Sequence, residues 1–88
     1  MQGVIIYLNK NKSAAVIDCE TECYMVIGLK KPGQFHEGDS VNTLGLWFGE
    51  YGNILQKSSG RLVEARVECI MRDLMSAGRE CDGPELNR

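Results

Sequence analysis

Apolar residues recur along the chain with a spacing of two, interrupted by polar or glycine-containing turns every eight to twelve residues. That rhythm predicts a small antiparallel barrel or sandwich. Residues 4–8, VIIYL, are almost all β-formers and apolar on both faces. Asn9-Lys10-Asn11-Lys12 is a polar turn, and SAAVID at 13–18 is the return strand of a hairpin. A second turn, Cys19-Glu20-Thr21-Glu22, leads into CYMVI at 23–27. A longer connection follows, carrying Pro32, two glycines and Lys30-Lys31. Glu37-Gly38-Asp39 then turns the chain into a fourth strand, because glycine takes a positive φ and aspartate bonds turn backbone. In the last strand Val63, Ala65, Val67 and Cys69 share one face and Glu64, Arg66 and Glu68 the other, which places one face on a core and the other in water.

Five strands are therefore expected, near 2–9, 13–18, 23–28, 40–48 and 61–70. Residues 49–53 and 58–60 are read as turns. On the fourth strand, Trp47 and Phe48 alternate, so one is expected in the barrel and the other at the surface. Beyond residue 70 the pattern changes. Residues 71–80 suit a short helix with Met71, Leu74 and Met75 on one side, and 82–88 suit a frayed tail. The chain thus divides into a barrel at 1–70 and a C-terminal extension at 71–88, a short helix and then a flexible tail. Five strands with a long connection between the third and fourth fit an all-β, five-stranded antiparallel barrel of OB type, a plan that often binds oligonucleotides. An SH3-like or Sm-like barrel competes, although Sm-like chains begin with a helix.

Composition narrows the function. With 88 residues the chain is one domain, and a chain of this size buries only about 60–65% of its unfolded surface. Deep catalytic clefts are not expected. An apolar fraction of 43% with a net charge of -2 argues against disorder. No apolar run is long enough to span a bilayer, and the opening residues lack the features of a signal peptide. A cytoplasmic protein is expected. Cys19, Cys23, Cys69 and Cys81 would allow three disulfide pairings in a secreted chain; in the cytoplasm they are expected reduced. Their spacing, with His36 the single histidine, does not suit a zinc site, and no metal or cofactor is expected. No nucleophile–base pattern or phosphate loop is present, and Cys19 lies between Asp18 and Glu20, which opposes thiolate formation. The chain is not expected to be an enzyme.

The first half resembles the cold-shock domain. That family opens Gly-x-Val-Lys-Trp-Phe-Asn-x-x-Lys-Gly-Phe-Gly-Phe-Ile. Here Gly3, Asn9, Lys12 and Ile17 match without a gap, Ile5 stands for valine and Tyr7 for tryptophan. Glu37-Gly38-Asp39-Ser40-Val41 is similar to the family's approach to its fourth strand. The resemblance covers roughly residues 1–48. It implies single-stranded RNA or DNA as ligand, with Tyr7 and Tyr24 as base-stacking platforms and Lys10 and Lys12 as phosphate contacts. The motif phenylalanines, however, are Ala14 and Val16, and Ile6 replaces an exposed lysine. Each stack is worth about 1–3 kcal/mol, so losing two or three removes about 3–6 kcal/mol. Two functions follow from different classes. One is a cold-shock-like barrel that binds single strands weakly and without strong sequence preference. The other is a protein-interaction or homodimerising barrel that kept the fold and lost the nucleic acid.

Overall fold

The computed structural model describes residues 1–11 and 13–83. Six strands, β1 (Gln2–Asn9), β2 (Ala14–Cys19), β3 (Cys23–Leu29), β4 (Ser40–Asn42), β5 (Tyr51–Gln56) and β6 (Arg61–Met71), precede one helix, α1 (Leu74–Asp82). They close into a barrel in the order β1-β2-β3-β6-β5-β4, and each pairing, including β1 with β4, is antiparallel. The mostly β, antiparallel barrel follows from the period-two pattern. The strand count is corrected from five to six. A closed ring of five would need one parallel pair, whereas a ring of six alternates throughout.

The extra strand comes from residues 51–56. Tyr51-Gly52-Asn53 reads as turn chemistry, yet it pairs in unbroken register with Arg66-Ala65-Glu64. Long-range pairing overrides local propensity there. Gly52 also suits its place, because an added Cβ would meet the Leu46 side chain at 2.8 Å. The strand expected at 40–48 stops at Asn42. Residues 43–50 form two successive turns, closed by Leu46 N donating to Thr43 O at 3.1 Å and Glu50 N to Trp47 O at 3.0 Å.

The interior is filled from both halves of the ring, by Ile5, Ile17, Met25 and Ile27 on one side and Ile54, Val63, Ala65 and Val67 on the other. Burial of each large side chain contributes about 1.5–3 kcal/mol. Phe35, in the 30–39 connection, is 1% exposed and belongs to this cluster. The long connection therefore supplies core as well as linkage.

A second apolar cluster lies outside the barrel wall. Register shifts between Ile5 and Tyr7. Ile5 opposes Ile17 inside, Ile6 is the extra residue, and Tyr7 opposes Val16 on the outer face. This β-bulge turns Tyr7 outward, where strict alternation would have carried it into the barrel. Ala14, Val16 and Val26 form the floor of the outer cluster, and Ala77 and Cys81 of α1 cover it.

The helix begins three residues later than expected. Asp73 is its N-cap, accepting from Ser76 N at 3.0 Å and Ser76 Oγ at 3.0 Å, which satisfies one of the free first-turn N–H groups. Those bonds hold the Asp73 carboxyl below its ordinary value. The buried stripe is Ala77 and Cys81; Leu74 and Met75 point to solvent. Met71, expected on the helix, ends β6. Asp82, expected in the tail, is the last residue of α1, and residues 84–88 lie outside the described residues. No helix is long and apolar enough to cross a membrane among the described residues.

Candidate functional site

The outer face of β1, β2 and β3 is where the resemblance places bases. Tyr7 and Tyr24 are both half-buried there, packed against the second cluster. Tyr7 Oη donates to Asp82 Oδ1 at 2.7 Å, and Asn9 Nδ2 donates to the same oxygen at 3.0 Å. The Asp82 bond, with smaller help from burial, raises the Tyr7 hydroxyl above its ordinary pKa. Ala14 and Val16 are roofed by α1. The surface between the two tyrosines is thus apolar, made of small side chains and already covered.

Lys10 is exposed in the β1–β2 turn. It shares a groove of about 620 Å³ with Tyr7, Leu8, Asn9, Asn11, His36 and Glu37. The structure therefore brings Lys10 to the edge of Tyr7, with Glu37 on the same wall. Lys12 lies outside the described residues.

A different surface carries most of the exposed aromatic area. Trp47 is 50% exposed, Phe48 62% and Tyr51 54%, with Leu44 at 51% nearby in the chain. The expectation that Trp47 or Phe48 fills the barrel is corrected. Both lie in the turn segment, where strand alternation does not apply. Gly49, with φ +81, ties this segment to β6 by donating to Val67 O at 2.9 Å, and Val67 N donates back to Glu50 O at 2.9 Å. Trp47 N donates to Glu50 Oε1 at 2.7 Å. Trp47 also borders a groove of about 420 Å³ lined by Thr21, Glu22, Cys23, Ile70, Met71 and Arg72. On the adjacent wall Tyr51 Oη donates to Glu64 Oε1 at 2.8 Å, and Lys30 Nζ lies 3.1 Å from the same oxygen. The tyrosine bond first, and then the lysine, hold the Glu64 carboxyl below its ordinary value. Leu44, Tyr51 and this groove were not singled out from sequence. The signal was present in glycines at 45 and 49 around a Trp-Phe pair, which mark turns and hence exposure.

The four cysteines are free. Cys19 and Cys23 stand directly opposite each other across the β2–β3 hairpin. Among the described residues no three His, Cys, Asp or Glu side chains are grouped as metal ligands would be. Compared with protein-family models, with curated proteins and with solved structures, the chain finds no match.

Proposed function

We propose that the protein is a homodimerising interaction module: a barrel of cold-shock-like, OB-type descent in its β1–β3 half, which has given its base-binding face to its own helix and binds a second copy of the chain through residues 44–51. The observation that carries this reading is the seat of α1. Ala77 and Cys81 occupy the place above Ala14, Val16 and Val26, so a base has no open platform between Tyr7 and Tyr24. The exposed Trp47, Phe48 and Tyr51 are the residue types that anchor protein interfaces. Glu50 and Glu64 bond to this surface, and the chain's net charge is -2; both disfavour a phosphate backbone. The cold-shock-like descent itself rests on the matched positions Gly3, Asn9 and Ile17, which fall within the β1–β2 hairpin.

The second reading, weak and unspecific binding of a single strand, is favoured by the groove that Tyr7 and Lys10 share. One experiment separates the two. A labelled pyrimidine-rich strand is titrated with the protein at low salt, and sedimentation is measured over a range of protein concentrations. The interaction reading expects no strand binding at high micromolar protein. It also expects a concentration-dependent association that Trp47→Ala with Phe48→Ser removes. A protein that stays monomeric and binds the strand, with an affinity that falls as salt rises and on Lys10→Ala, overturns it.

A further inference from the structure

We propose that Cys19 and Cys23 form an oxidisable dithiol site, which a hydroperoxide closes reversibly to a disulfide across the mouth of the β2–β3 hairpin. The two residues are the last register pair of that hairpin. Opposed residues in an antiparallel ladder have Cα atoms about 4.5–5.5 Å apart, and a disulfide accepts about 4.4–6.8 Å. The Cα spacing of such a register pair therefore falls within the range a disulfide spans. Both side chains face the same way, since each packs on the inner cluster; Cys19 Sγ donates to Ile17 O at 3.8 Å, and Cys23 Sγ lies 3.6 Å from Thr21 Oγ1. The other cysteines lack this relationship. Cys69 opposes Val26, and Cys81 lies on α1.

Surroundings divide the roles. Cys19 is buried, and burial first, then Cys23, pushes its thiol up to about 12, so the less buried Cys23 is the thiol that meets a peroxide first. Cys23 is half-buried and lines the Trp47 groove together with Glu22 and Arg72, where a small peroxide reaches it. The Cys23 thiolate attacks one peroxide oxygen, and the O–O bond breaks. Water leaves from hydrogen peroxide, or an alcohol from an organic peroxide, taking a proton, and Cys23 becomes a sulfenic acid. Cys19 then loses its proton and attacks the Cys23 sulfur. The S–S bond forms, the S–O bond breaks, and the oxygen leaves as water. Two electrons pass from the sulfurs to the peroxide, and a small dithiol returns them by exchange.

The test uses the full chain. Protein treated with excess hydrogen peroxide is quenched, denatured and alkylated, then measured by intact mass and peptide mapping. The expected result is the loss of two hydrogens, a peptide linking Cys19 to Cys23, and alkylation retained at Cys69 and Cys81. A dithiol reverses all of this. Trp47 is the single tryptophan and lines the same groove as Cys23, so its emission should fall on oxidation and recover on reduction. Cys19→Ser should leave a Cys23 sulfenic acid that dimedone traps. Four alkylated thiols after peroxide, a bridge through Cys69 or Cys81, or a sulfinic Cys23 beside a free Cys19 would overturn the proposal. The peptide map of the unaltered chain decides the matter even if Cys19→Ser does not fold.

Discussion

The Tyr7 hydroxyl donates a 2.7 Å hydrogen bond to Asp82 Oδ1 across 75 residues of chain. It fastens the end of α1 to β1, while Ala77 and Cys81 seat the same helix on β2 and β3. A helix of nine residues is too short to stand alone in water. Its existence depends on this docking, and the exposure of the face beneath depends on it in turn.

Docking should therefore respond to alkaline pH through Tyr7. The neutral phenol is the donor, and the Asp82 bond raises its pKa above the ordinary value of 10.0. A folded value above the unfolded one means the contribution is complete below the ordinary pKa and is lost as pH rises through the folded value. A dye that binds apolar surface should report release of α1 in a step above about pH 10. Tyr7→Phe, which has no proton to lose, should lack that step. An identical step in both proteins would assign the transition to another group.

The face beneath α1 makes a second expectation. Ala14 and Val16 are 9% and 0% exposed, with the helix directly above. Ala14→Phe with Val16→Phe restores the aromatics that the cold-shock-like pattern would carry, but it overfills a closed interface. Each substitution should cost about 1–3 kcal/mol in urea unfolding. Any gain in single-strand affinity should appear only together with release of α1, seen as loss of helical circular dichroism. Strand binding with the helix still seated would show that the covered face is not where nucleic acid binds.

Two glycines should behave oppositely. A Cβ at Gly3 would collide with Ile17 Cγ2 and lie 3.0 Å from the Asp18 carbonyl oxygen. Backbone cannot yield as a side chain can, so Gly3→Ala should destabilise by about 1–3 kcal/mol. Gly78 lies within α1 with nothing within 4 Å of an added Cβ. Gly78→Ala should stabilise by about 0.5–1 kcal/mol through lower backbone entropy in the unfolded chain. Denaturation midpoints of the two variants check both signs.

Sequence made the hairpins legible because period two and turn residues are local signals, and β1, β2, β3 and β6 lie where those signals put them. It hid β5, because Tyr51-Gly52-Asn53 gains its extended form from Arg66, Ala65 and Glu64 far along the chain. It hid the core role of Phe35 for the same reason. The bulge at Ile6, which decides the face Tyr7 takes, leaves no mark in composition. The helix could have been placed better, since Asp73 with Ser76 three residues on is a capping pattern. The pairing of Cys19 with Cys23 follows from hairpin register, which residue spacing alone does not fix.

Thr43 makes the last expectation. It is 0% exposed, and its Oγ1 has no hydrogen-bond partner among the described residues. Its backbone is satisfied, with N donating to Met1 O at 2.9 Å and O accepting from Leu46 N at 3.1 Å. The side-chain hydroxyl is thus the one group there that lost water and gained nothing, a situation that costs about 1–3 kcal/mol. Thr43→Val replaces it with a methyl of nearly the same shape and should stabilise by about 1–2 kcal/mol, with an unchanged dependence on urea. Thr43→Ser keeps the hydroxyl, loses the methyl, and should destabilise by about 1 kcal/mol. The pair isolates the hydroxyl, because valine changes the polar group and serine the apolar one. If valine is the less stable of valine and threonine, the hydroxyl is bonded in solution, and an ordered water beside the β4 end is the partner to look for.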